Sequence, residues 1–288
     1  MASMIELIKE LRDRTGAGMM DCKKALVACN EDVNKAIDWL REKGIAKAQA
    51  KASRIAAEGL AATEVKGNKA VIVEVNCETD FVSKGDKFHK LVNDVMDVTI
   101  ENEPCCIDKA KELTAGLFTD ATVSMGEKLD YRRFEIVKKE DDQSFGAYIH
   151  MGGKIAVLVL LDKNDPELAK GLAMHIAANN PLYISENDVP ADAIEHERNI
   201  QVELMKQDPK LANKPADMLA QIATRKVQKV LAESTLSAQA YLLDGDKTVE
   251  QILKEKSAKV LKFVRYAVGE GIEKRVDNFA EEVMKEIK

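Results

Sequence analysis

Lys69-Ala70-Val71-Ile72-Val73-Glu74-Val75 is an apolar run of strand length. It is preceded by the turn text Lys66-Gly67-Asn68 and by a second strand-like run, Leu60 to Val65, so the stretch predicts a β-hairpin. The same texture returns 85 positions further on as Lys154-Ile155-Ala156-Val157-Leu158-Val159-Leu160, and at that offset Asp80 falls on Asp165, each at the opening of a helix. The echo predicts an α+β fold containing two related core subdomains.

Working outward, residues 86–101 place Phe88, Leu91, Val92, Val95 and Met96 on one helical face. Tyr131–Lys139 and Gly146–Leu161 read as another hairpin-like pair, followed by a helix from Asp165 to Ala178. Two helices rich in Glu, Lys and Gln, about 191–207 and 216–233, are separated by text holding Pro209 and Pro215, which stop both. The short link predicts an antiparallel helical hairpin, a coiled coil projecting from the body, whose free side faces either a second copy in a homodimer or solvent. Strand and helix text then resumes over Ala240–Leu243, Thr248–Lys254 and Val260–Ala267, and a charged C-terminal helix is expected over about 272–288.

Upstream, residues 4–43 read as three short helices. Ile5, Leu7, Ile8 and Leu11 stripe the first, and Thr15-Gly16-Ala17-Gly18 breaks it. Cys22, Ala25, Leu26 and Cys29 share a face of the second. Asn30-Glu31-Asp32 supplies a cap and an acidic first turn for the third, which carries Val33, Ala36, Ile37 and Leu40 and is expected to end at Lys43-Gly44. The set resembles a ubiquitin-associated domain. The expected division is a helical module (1–44), a basic Ala-rich linker (45–58), core subdomain N (59–143), core subdomain C (144–190 and 233–267), the hairpin insert (191–232) and a C-terminal module (268–288).

A chain of 288 residues exceeds one ordinary domain. Its 45% apolar and 32% charged residues suit a soluble, helix-rich protein, and with only 5% aromatics the cores must be built of Ala, Val, Leu, Ile and Met. A net charge of −6 argues against direct nucleic-acid binding. No apolar run approaches membrane-spanning length. Five cysteines without a CxxC pair, and no secretory leader, predict free thiols in the cytoplasm.

Enzyme chemistry finds little purchase. The four histidines (His89, His150, His175, His196) lack metal-ligand spacing. Gly152-Gly153-Lys154 looks like the end of a phosphate loop, but Tyr148 stands where a glycine belongs and Ile155 replaces Ser or Thr. No cofactor or metal is expected, and an acidic pair of Glu78 and Asp80 is weak ground for a magnesium enzyme.

The segment Glu74 to Lys84 is the most informative. Strand alternation runs out at Asn76, and the next helix is expected near Ser83 or Asp86. Thr79 or Asp80 then caps a turn while Phe81 tucks into the core; alternatively an acid and an aromatic are displayed together for a partner. Met19-Met20 is open to the same pair of readings, core filler or adaptable contact surface. His150, beside a turn, is by its surroundings a structural histidine.

Two long motifs choose between these readings. Leu11-Arg12-Asp13-Arg14-Thr15-Gly16-Ala17-Gly18-Met19-Met20-Asp21-Cys22-Lys23-Lys24-Ala25-Leu26 and Glu74 to Lys84, centred on Thr79-Asp80-Phe81-Val82, resemble the two signatures of the elongation factor Ts family. Met174–Ala178 and Val268–Lys274 are also similar to family text. The resemblance implies a guanine-nucleotide exchange factor, without covalent chemistry, whose partner is elongation factor Tu. It implies that Thr79, Asp80, Phe81 and Val82 dislodge the partner's magnesium. It also implies that Arg12, Met19 and Met20 dock on the partner's G domain, that the C-terminal helix touches the G domain as well, that His150 approaches the partner, and that a second domain of the partner is contacted. A tethering adaptor built on the ubiquitin-associated-like module is the competing reading.

Overall fold

In the computed structural model, residues 3–207 and 215–273 are described. Helix α1 (Met4–Thr15) begins in a capping box, with Ser3 N–H donating to Glu6 at 2.7 Å and Glu6 N–H to Ser3 Oγ. Met4, Leu7, Ile8 and Leu11 form its inward stripe. Ile5, expected in that stripe, is 79% exposed, because the i, i+3, i+4, i+7 row starts one residue earlier. Gly16, in the left-handed region, ends α1, and α2 (Met19–Ala28) follows.

Asp32 then caps α3 (Val33–Lys51) through Lys35 N–H at 3.1 Å. Contrary to expectation α3 does not stop at Lys43-Gly44; the helix runs on through the basic stretch to Lys51. Gly44 is a site of close approach rather than a terminator. A Cβ there would lie 2.5 Å from Val123 Cγ2 and 3.3 Å from Thr119 O.

Strands β1 (Glu58–Lys66) and β2 (Lys69–Cys77) form the predicted antiparallel hairpin, with Gly67 taking the left-handed turn position. One helical turn, α4 (Asp80–Ser83), precedes α5 (Asp86–Asn102), whose predicted inward face is buried. Helix α6 (Ile107–Met125), which no sequence expectation covered, packs on both α5 and α3, and Arg41 of α3 pairs with Asp120 of α6 at 3.2 Å. Strand β3 (Asp130–Lys138) then joins β2 to give the sheet β1-β2-β3.

The expected hairpin between Tyr131–Lys139 and Gly146–Leu161 is therefore not formed. The second segment instead divides into β4 (Ser144–His150) and β5 (Ile155–Leu161). Met151, Gly152 and Gly153 all have positive φ, so the chain must turn between them.

Asp165 caps α7 (Pro166–Asn179) through Leu168 N–H at 3.0 Å. Helices α8 (Ala191–Lys206) and α9 (Ala216–Ser234) pack together. Leu236 N–H donates to Tyr183 O at 2.8 Å and Ser237 N–H to Ile184 O at 3.0 Å, so the chain enters α8 and leaves α9 side by side. Helices in contact with that connectivity run antiparallel. The short strands β6 (Ala240–Tyr241) and β7 (Asp244–Thr248), helix α10 (Val249–Lys256) and β8 (Val260–Ala267) complete the described chain, β8 pairing in the sheet β4-β5-β8.

The chain forms two compact units, one of residues up to Ile136 with Met151–Ala156 and Tyr266 onward, the other of Val137–His150 and Val157–Arg265. The two echoing runs are the middle strands β2 and β5 of their respective sheets, each buried on both faces. The echo holds strand for strand but not cap for cap, since Thr79 and not Asp80 caps α4. The expected helix over 272–288 lies, from residue 274, outside the described residues, as does the link 208–214. All five cysteines are free thiols, and among the described residues no helix is long and apolar enough to cross a membrane.

Candidate functional site

Beyond β2 the chain bends at Glu78, and Thr79, itself extended, accepts Val82 N–H on its Oγ1 at 3.3 Å and so opens α4. Ser83 Oγ donates to Asp80 O at 3.0 Å, and the Cys77 thiol donates to Thr79 O at 3.1 Å. Burial pushes that thiol up to about 12, so it stays protonated. In a single turn of helix consecutive side chains are about 100° apart, so only part of the turn faces the core. Val82 packs on the core cluster and Ser83 is buried, whereas the Phe81 ring is 86% exposed. The reading in which Phe81 tucks into the core fails because Val82 and Ser83 occupy the inward side of the turn.

Asp80 lies in the first turn of α4, where a negative charge meets the positive end of the peptide dipoles. The Lys84 ammonium, 2.6 Å from its Oδ2, holds the Asp80 carboxyl below its usual range and in turn raises Lys84. Glu78 faces elsewhere: it pairs with Arg54 at 3.1 Å and accepts from Lys128 N–H at 2.6 Å. Each acid thus has its own cation, and the two do not form the paired carboxylates a magnesium enzyme would use.

Glu127 joins this loop from 48 residues away. Its Oε2 accepts Glu78 N–H at 3.0 Å and Thr79 N–H at 3.1 Å, and its Oε1 accepts the Thr79 hydroxyl at 2.6 Å. Lys128 Nζ donates to Ala52 O and Arg54 O, both at 2.7 Å. Sequence reasoning missed Glu127 and Lys128. The available signal was Gly126, a left-handed cap at the end of an unread amphipathic helix.

An open groove of about 730 Å³ runs beside Phe81, walled by Asp80, Val82, Lys87, Phe88, Ser124 and Met125. Lys87 Nζ reaches across to Gly16 O at 3.1 Å, and Gly16 lies against Ser124 as well. The α1–α2 turn therefore adjoins the groove. Met19 and Met20, which follow that turn, are 58% and 63% exposed, so they are not core filler, and Arg12 is also exposed. His150, half-buried at the end of β4 with its Nδ1 3.1 Å from Tyr148 Oη, belongs to the second unit; the other seven candidates belong to the first.

A charged turn and a bare aromatic ring on a backbone clamped from outside are suited to recognition, not to covalent chemistry. Comparison with known proteins gives the family. The family model described as elongation factor TS matches residues 78–270. The elongation factor Ts of Lactiplantibacillus plantarum is 48% identical over 287 residues, covering 98% of this chain and 97% of the relative. That of Pediococcus pentosaceus is 48% identical over 288 residues with the same coverage.

Proposed function

The chain belongs to the elongation factor Ts family, and from that premise we propose that the Thr79–Val82 turn is the element that acts on the partner's nucleotide site. Its role is nucleotide exchange on elongation factor Tu in translation elongation, which is not catalysis of a covalent reaction. The observation that carries the proposal is Phe81, displayed to solvent beside an ionised Asp80 on a turn held by Glu127.

A factor that binds nucleotide-free Tu better than Tu-GDP must weaken GDP binding by the same ratio. In this reading Phe81 inserts between helices of the G domain, and the Asp80 carboxylate disturbs the surroundings of the bound magnesium. Phe81 has almost nothing to pack on in the free chain, so its burial gain, about 1.5–3 kcal/mol, is realised on the partner. That equals one to two decades in affinity, so further contacts must share the exchange effect. Arg12, Met19 and Met20 supply them through the G domain, and His150 from the second unit.

The assignment of parts follows the chain: 1–44 docks, 59–143 carries the trigger, 144–190 with 233–267 adds a second contact, and the 191–232 hairpin faces a second copy or solvent. In this reading the chain acts in the cytoplasm, beside the translation machinery. The test is release of a fluorescent GDP analogue from Tu on mixing with the chain and excess unlabelled GDP. A rate equal to spontaneous release would end the proposal.

A further inference from the structure

Helix α4 has four residues, far too few to hold itself in water. Phe81 gains almost no packing energy, so the side to which its ring points follows from the α4 backbone and the rotamers that backbone allows. That backbone is gripped at its entrance by one carboxylate. Glu127 Oε2 takes the N–H groups of Glu78 and Thr79, and Oε1 takes the Thr79 hydroxyl proton. With its proton so directed, Thr79 Oγ1 presents a lone pair to Val82 N–H, the bond that starts α4. The grip is reciprocal, because the Glu78 carboxylate takes Lys128 N–H while Lys128 Nζ ties to Ala52 O and Arg54 O.

We propose that Glu127 is a positioning residue for nucleotide exchange, acting through Thr79 to keep Phe81 in the pose its partner site accepts. The inference rests on the reading of Phe81 as the wedge. A contact residue that is already ordered loses less freedom on binding, so pre-ordering adds to the rate without adding a contact.

The experiment is GDP release from Tu by the full-length chain, as rate against concentration, for Phe81→Ala, Glu127→Ala, Glu127→Gln and the Phe81→Ala/Glu127→Ala double variant. Glu127→Ala is expected to lower the saturating rate on the order of tenfold, the scale of lost hydrogen bonds to a charged acceptor. The half-saturating concentration should stay within a factor of two or so, because the docking contacts remain. Glu127→Gln should recover most of the rate, since one amide oxygen still takes both N–H groups. In the Phe81→Ala background, Glu127→Ala should cost nothing further.

An unchanged rate for Glu127→Ala, or the same fractional loss with and without Phe81, would overturn the inference. Should Glu127→Ala fold poorly, Thr79→Val removes the hydroxyl that Glu127 holds and must show the same dependence on Phe81. Full exchange by Phe81→Ala alone would instead refute the wedge reading, an outcome distinct from those for Glu127.

Discussion

Replacing Phe81 by Ala separates a displayed wedge from a core residue through two measurements with opposite outcomes. The ring is 86% exposed, so little of its surface leaves water on folding and deletion forfeits only a few tenths of a kcal/mol of burial. The better helix propensity of Ala offsets part of that. Stability should therefore change by less than about 0.5 kcal/mol, the range of ordinary surface substitutions. On the partner the same ring is expected to be buried, and losing about 1.5–3 kcal/mol there predicts a roughly 10- to 150-fold drop in subsaturating GDP release. Urea unfolding followed by circular dichroism reads the first quantity, and stopped-flow release of fluorescent GDP the second. A loss of about 3–5 kcal/mol in stability would mean that Phe81 is core. Unchanged exchange would mean that its exposure is incidental.

Other perturbations probe the rest of the argument. Met19→Ser with Met20→Ser should raise the half-saturating concentration about tenfold or more while preserving the saturating rate and the melting temperature; a lowered saturating rate at unchanged half-saturation would contradict a docking role. Gly44→Ala gains about 1 kcal/mol of helix propensity, yet its methyl meets the stiff Val123 side chain at 2.5 Å, so net destabilisation of about 1 kcal/mol is expected; a higher urea midpoint would show that α3 and α6 separate easily. Glu74, fully buried, accepts from Arg132 at 2.9 Å, Arg133 at 2.6 Å and Gly269 N–H at 2.8 Å, while Arg133 keeps Glu270 at 3.1 Å and both guanidiniums reach water, so Glu74→Ala should cost about 1–3 kcal/mol, chiefly through the buried Gly269 N–H left without its acceptor, and an unchanged urea midpoint would show that these bonds are replaced. His175 is buried and receives Leu242 N–H on Nδ1 at 3.1 Å, which leaves Nε2–H for Gln239 Oε1 at 2.8 Å. Burial lowers its pKa, so the unfolded chain takes the proton first: the contribution is whole above the unfolded value of about 6.5 and lost as pH falls below it. The urea midpoint should therefore drop more between pH 7.5 and 5.5 for the native chain than for His175→Gln, and equal drops would remove His175 from the account.

Legibility in the sequence followed locality. The hairpin of β1 and β2, the stripe of α5, the Asp32 and Asp165 caps and the paired runs of β2 and β5 depend on neighbours within a few residues, where periodicity and turn chemistry are decisive. The family signatures are equally local text, and they located the candidate site. Partners distant in the chain were not legible. Whether β3 pairs with β2 or β4, and whether Gly44 ends a helix or admits another, depends on elements dozens of residues away.

The same division runs through the site itself. That residues 76–84 leave a strand, turn and lead to a helix was legible in the sequence, because β-propensity gives way there to the turn and cap formers Thr79 and Asp80, although the extra turn of helix from Asp80 was not. That Phe81 faces water follows instead from contacts distant in the chain. The one-turn helix turns Val82 and Ser83 towards the body, and Glu127, far along the chain, holds the backbone that leaves Phe81 outward.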